Sequence, residues 1–180
     1  MADTKKGKRK PIDVPIFGID TDVIIHAGLA TQKPGKVDLD KRKRSLALLR
    51  WGQARQMVFP TVALSEVLIP IPKDKRSEVI HKLKEAFVIH PFDERAATIA
   101  SDLWVRHKQL PEVEQYNERL VLKADILIIA CAVAAGATEF YSHDDKCRKL
   151  ANLIIKGCQP PSRDPDGNLF ESIENDEASS

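Results

Sequence analysis

Cysteine is scarce in this 180-residue chain, as are the features that commit a protein to a membrane or an oxidising compartment. Cys131, Cys147 and Cys158 are odd in number and show no Cys-x-x-Cys spacing. Neither a disulfide framework nor a zinc knuckle is indicated, and a reducing, cytoplasmic setting follows. No apolar run reaches membrane-spanning length, because charges or prolines interrupt every candidate. The N-terminus has the charges of a signal peptide, Lys5 to Lys10, but no apolar segment behind them. Internal repeats are absent.

What is present is a soluble globular balance, 43% hydrophobic and 30% charged, in a length suited to one domain with a proper core. The net charge of +2 is unevenly spread. Lys5 to Lys10 and Lys41-Arg42-Lys43-Arg44 are basic runs, and Glu171 to Glu177 is acidic. Basic clusters suit phosphate backbones, although solvated tails and a solvated helix start explain them equally well. Residues 1–15 read as a disordered basic arm, 16–158 as the folded domain, and 159–180 as a flexible acidic tail.

The folded part is organised around Phe17-Gly18-Ile19-Asp20-Thr21-Asp22-Val23-Ile24-Ile25. An apolar run ends in a carboxylate and a second apolar run follows at once. In an α/β fold this marks a strand, Ile16 to Ile19, then a helix that Thr21 or Asp22 can cap. Ligands in such folds bind beyond the carboxyl ends of the strands. Thr31 to Asp40 reads as a loop, and Leu46, Leu48, Leu49 and Trp51 as the apolar face of a helix closing near Gly52. Met57-Val58-Phe59 is a second strand, stopped by Pro60. A helix from Thr61, its possible cap, to Ile69 ends at Pro70 and Pro72. Asp74 to Ala86 is an amphipathic helix, and Phe87-Val88-Ile89 a third strand. Asp93 caps the next helix, and Leu110 to Asn117 interrupts with polar residues. Asp125 to Ala135 is the most apolar helix, stopped by Gly136. Glu139-Phe140-Tyr141 is a fourth strand, and a short helix through Cys147 and Leu150 leads to a fifth at Leu153-Ile154-Ile155. Strands alternating with helices predict a parallel sheet of about five strands covered on both faces.

Four acids fall at the edges of these elements. Asp20 ends the first strand, Asp144 the fourth, Glu66 lies on the helix after the second, and Asp125 begins its helix. If strands one and four are neighbours, all four acids can share one crevice. Two like charges about 4 Å apart cost roughly 4 kcal/mol at an effective dielectric near 20, so such a site takes up protons or holds a cation. A hard divalent ion, Mg²⁺ or Mn²⁺, suits oxygen ligands and supports phosphodiester hydrolysis. Each acid also has a structural reading. Asp20 and Asp125 suit helix caps or dipole partners, Glu66 a solvated helix face, and Asp144-Asp145 a turn and cap.

Ile19-Asp20-Thr21-Asp22-Val23, Leu64-Ser65-Glu66-Val67, Ala124 to Ala130 and Tyr141-Ser142-His143-Asp144-Asp145-Lys146 together resemble the PIN domain family of metal-dependent nucleases, which includes toxin ribonucleases of toxin–antitoxin modules. The likeness runs from Ile16 to Ile155. It implies a three-layer α/β/α sandwich, Mg²⁺ or Mn²⁺ held by Asp20, Glu66, Asp125 and Asp144, and cleavage of RNA. It also implies a homodimer and an antitoxin partner. Ser142 matches the family's Thr/Ser beside the last acid, where it orients a ligand or its water. Asp22 stands where Asn is usual, Asp145 leaves the assignment at Asp144 open by one position, and His143 reads as a turn residue. The basic run gives Lys41, Arg42 and Arg44 as candidate RNA contacts on charge alone.

Two alternatives remain. Asp20-Thr21-Asp22-Val23 resembles the DxD motif of haloacid-dehalogenase-like phosphatases, with Asp20 as nucleophile, but that reading leaves Glu66 and Asp125 unemployed. The other is a non-catalytic RNA-binding protein that kept the fold.

Overall fold

A computed structural model describes residues 15–29, 38–111, 119–163 and 165. The expected basic arm and most of the acidic tail lie outside these residues. So do most of the loop expected at Thr31 to Asp40 and of the interruption at Leu110 to Asn117.

Five strands form one sheet: β1 (Ile16–Ile19), β2 (Gln56–Pro60), β3 (Val88–His90), β4 (Glu139–Tyr141) and β5 (Lys156–Cys158). Their order is β3-β2-β1-β4-β5 and every pairing is parallel. The crossovers carry α1 (Thr21–Ala27), α2 (Leu39–Gly52), α3 (Thr61–Leu68), α4 (Arg76–Ala86), α5 (Glu94–Lys108), α6 (Arg119–Ala134) and α7 (Asp145–Ala151). The result is the expected three-layer α/β/α sandwich. Among the described residues no helix is long and apolar enough to cross a membrane.

β1 lies between β2 and β4, with Phe17 opposite Met57 on one side and Glu139 on the other. Side chains alternate between the two faces of a strand, and β1 shows what each face meets. The Phe17 ring packs on Trp51 of α2 with centroids 4.8 Å apart. A Cβ on Gly18 would fall 2.6 Å from the Ala132 Cβ of α6, so a bare backbone is what lets α6 settle this close. α6 supplies the densest part of the core, burying Ile126, Ile128, Ile129, Ala130, Cys131 and Ala132. Each buried isoleucine contributes about 1.5–3 kcal/mol by leaving water.

Several boundaries differ from those read in the sequence. Asp20 itself is the N-cap of α1, accepting from the Thr21 backbone N at 2.7 Å, so neither Thr21 nor Asp22 caps it. Pro60 holds the cap position of α3 without a side-chain bond, and Thr61 is its first residue. A 3₁₀ turn, Lys73–Lys75, precedes α4. α6 begins at Arg119, which puts Asp125 inside the helix rather than at its start. β5 is Lys156–Cys158, not Leu153-Ile154-Ile155. Those three apolar residues pack against the core as a turn after α7. The pairing segment falls on Gly157, where a side chain would overlap the Arg148 carbonyl oxygen.

Candidate functional site

Because β1 and β4 are adjacent, their carboxyl ends open on one side of the sheet. Asp20 follows β1 directly, and its backbone N donates to the Tyr141 carbonyl at 3.0 Å. Asp144 stands three residues past the end of β4, as the N-cap of α7, accepting from the backbone N of Lys146 and Cys147. Between these ends lies a cavity of about 460 Å³ lined by Asp20, Asp22, Glu66, Asp125 and Asp144, with Cys147 at its side. Ile25, Leu120, Val121 and Ala124 complete an apolar wall. Leu120 is 81% exposed, so this wall ends in a hydrophobic rim.

The four acids named from the sequence therefore line one crevice, contributed by β1, α3, α6 and the β4–α7 turn. Asp20 is buried, and desolvation holds its carboxyl well above the usual range, with Asp22 and Asp125 adding to the effect. Burial raises Asp22 as well, against the hydrogen bonds that it accepts. The Cys147 thiol is pushed far up by burial and by the surrounding carboxylates, so it stays protonated. Asp145, by contrast, pairs with Lys149 at 2.8 Å and Arg148 at 3.1 Å on its own helix. Asp144, not Asp145, is the acid that faces the crevice.

Three residues beside these acids carry roles that the sequence did not reveal. The Thr21 hydroxyl donates to Glu66 Oε2 at 2.6 Å, fixing the α3 acid from α1. Asp22 Oδ2 accepts from Ser142 Oγ at 3.2 Å, the His143 backbone N at 2.8 Å and the Asp144 backbone N at 3.1 Å. Its other oxygen, Oδ1, is buried without a partner. His143 is buried, with Nε2 2.8 Å from Ser45 Oγ, and burial depresses its pKa to about 4. All three depend on pairings more than 40 residues apart in sequence, for which no local pattern is a signal.

The remaining candidates lie away from the cavity lining. Ser142 is fully buried, and its hydroxyl donates to Asp22 and accepts from the Asp144 backbone N at 2.9 Å. Lys41, Arg42 and Arg44 ride the start of α2 and do not line the crevice. Arg42 is exposed, while Arg44 pairs with Asp40 at 2.7 Å and donates to the Pro160 carbonyl.

Chemically, the lining is a set of hard oxygen donors with no imidazole and only a protonated thiol. Such a set suits Mg²⁺ or Mn²⁺ better than zinc or copper, and the buried Oδ1 of Asp22 at its edge has no hydrogen-bond partner. Among the described residues no three such side chains are drawn into a ready-made metal cage. The donor types fit a hard cation, and the lining is open rather than closed around one.

Comparison with known proteins adds two findings. Residues 19–153 match the family model of the PIN domain. Among solved structures, the crystal structure of VapBC2 from Rickettsia felis bound to a DNA fragment from their promoter has a chain that is similar, with a TM-score of 0.54 at 14% identity. That likeness covers 80% of this chain and 98% of the other. Among curated proteins, none matches.

Proposed function

The chain belongs to the PIN domain family, whose members are generally nucleases, and on that premise we propose that it is an Mg²⁺- or Mn²⁺-dependent endoribonuclease. The observation that carries this reading is that Asp20, Glu66, Asp125 and Asp144, from four separate elements, line one crevice at the carboxyl ends of β1 and β4. These four residues would hold the divalent ion. When bound there, the ion supplies activation of the attacking water and charge neutralisation at the leaving oxygen.

The chain's own groups do the rest. Thr21 holds Glu66 in place, and Asp22 and Ser142 hold the backbone that presents Asp144. Ile25, Leu120 and Val121 give the substrate an apolar wall beside the acids. Lys41 and Arg42, at the start of α2, supply positive charge for the RNA backbone.

The test is an RNA cleavage assay with Mg²⁺ or Mn²⁺, comparing the parent with Asp20→Asn and Asp125→Asn. The expected loss is about 100-fold or more, a barrier increase of roughly 2.7 kcal/mol. Activity surviving both substitutions overturns the site. RNA binding that is indifferent to metal and never followed by cleavage favours the non-catalytic reading instead. The phosphatase reading needs Asp22 as its second working acid, whereas Asp22 Oδ2 is taken up by three donors of the β4–α7 turn.

A toxin role with a neutralising antitoxin and a homodimeric state is the further part of this proposal; it rests on the family resemblance, and the likeness to a chain of the VapBC2 complex is consistent with a protein partner. A small DNA-binding protein encoded beside this chain, co-purifying with it and suppressing cleavage, is the outcome expected. Cleavage indifferent to that neighbour removes this part of the proposal.

A further inference from the structure

The β4–α7 turn is three residues long, and its first two are sunk into the protein, Ser142 0% and His143 8% exposed, while Asp144 is exposed. His143 reaches in two directions at once. Its backbone N donates to Asp22 Oδ2 of α1, and its ring meets Ser45 Oγ of α2, itself fully buried. The His26 ring stands edge-on to it, centroids 5.2 Å apart and planes at 79°. Nδ1 is buried without a partner, so the Ser45 contact is the hydrogen bond that orients the ring.

We propose that His143 is a positioning residue for the crevice, a buried peg that locks the Ser142–Asp144 turn to α1 and α2 and thereby places the Asp144 carboxylate. The inference rests on the metal-site reading above. Asp144 is the next residue along, and its own backbone N ends on the same Asp22 oxygen. A ring clamped between two helices therefore fixes the backbone that aims the acid. Groups that orient metal-binding side chains typically change metal affinity or activity by about 10- to 100-fold when removed. The same peg joins the crevice to α2, the helix bearing Lys41 and Arg42, so the acids and the basic run are set in one frame.

Substitutions separate this role from simple core filling. Leucine fills the space of the ring without a hydrogen bond, while the glutamine side chain carries a polar group to about the reach of Nε2. His143→Leu, His143→Gln and Ser45→Ala are compared with the parent by Mn²⁺ titration calorimetry, RNA cleavage kinetics, urea unfolding and amide hydrogen exchange. His143→Leu and Ser45→Ala are expected to weaken Mn²⁺ binding about 10-fold or more. They should lower kcat by about 10- to 100-fold with KM for RNA within about 3-fold, while His143→Gln stays within about 3-fold of the parent in every reading. The His143 and Asp144 amides should exchange faster in the leucine variant.

The proposal is overturned if His143→Leu is folded and keeps the parent's Mn²⁺ affinity and kcat. It is overturned equally if His143→Gln does no better than leucine. Should the leucine variant fail to fold, Ser45→Ala, which deletes one hydroxyl, decides by the same measures. A parent that neither binds Mn²⁺ nor cuts RNA defeats the nuclease reading. Faster exchange at His143 and Asp144 in the variants would then still establish the peg, so the two failures are told apart.

Discussion

Thr21 donates its hydroxyl hydrogen to Glu66 Oε2 at 2.6 Å, a bond that spans 45 residues and joins the first turn of α1 to α3. A carboxyl held by a hydroxyl donor loses its rotational freedom. Glu66 sits on a helix that starts with no side-chain cap and ends before Pro70. The pin from α1 therefore adds a tertiary constraint that the helix itself does not supply.

Replacing Thr21 by valine removes the donor while keeping the shape. Thr21→Val is expected to lower kcat by roughly 10-fold, and Thr21→Ser to stay near the parent. Steady-state cleavage kinetics check it, and equal rates for all three proteins would refute the role given to Thr21.

The raised carboxyl of Asp20 predicts an opposition between metal-free stability and pH. A pKa raised on folding contributes stability below the unfolded value and loses it as pH rises through the folded one. Without divalent ions, the urea midpoint of the parent, taken relative to Asp20→Asn, should therefore fall as pH rises above the ordinary carboxylate range, and Mn²⁺ should restore it most at the higher pH. Asp20→Asn still offers a cap to α1 and should flatten both dependences. A midpoint in the parent no more sensitive to pH or Mn²⁺ than in Asp20→Asn would contradict this.

His143 has the opposite sign. Its pKa is depressed to about 4 by burial, from an ordinary 6.5, so the unfolded chain binds the proton first. Stability from this group is complete above the unfolded value and lost as pH falls from about 6.5 to about 4. The loss approaches about 3 kcal/mol over that window. The raised carboxyls of Asp20 and Asp22 work in the opposite direction, so the clean quantity is the stability of the parent minus that of His143→Gln. That difference should move in favour of the variant on acidification, and a constant difference would show that the ring does not titrate as described.

Gly18→Ala tests the seating of α6. The added methyl would lie 2.6 Å from the Ala132 Cβ and 2.9 Å from the Phe140 ring. Overpacking of this kind costs about 1–3 kcal/mol, to be read from the urea midpoint at constant slope. An alanine variant as stable as the parent would mean that α6 shifts freely.

The comparison of sequence with structure divides along the range of the interactions. β1, β4 and the cap at Asp93 follow from local patterns, and the structure places them at Ile16–Ile19, Glu139–Tyr141 and the start of α5. Asp20, Asp125 and Asp144 stand out because each lies where an apolar run meets a polar one, and Glu66 because apolar residues flank it within its helix. The charges of Arg119 and Lys123 dilute the first turns of α6, so the local pattern makes Asp125 look like a helix start. Leu153-Ile154-Ile155 has the composition of a strand, yet β5 forms at Lys156–Cys158, where Gly157 has no Cβ to strike the Arg148 carbonyl. What no pattern carries is Asp22 gathering three donors from residues 142–144, or His143 reaching Ser45. Those contacts exist only once the sheet order is set.

The central position of β1 has a consequence for biosynthesis. Its pairing with β4 joins Phe17 to Glu139, nearly the full span of the fold, and long-range parallel pairing forms late because the loop must close first. A ribosome-bound chain that has emitted Asp20, Glu66 and Asp125 still lacks the strand that aligns the last acid. Assembly of the crevice thus waits on synthesis of β4 and the turn that follows it, and the segments carrying the first three acids do not make the site by themselves.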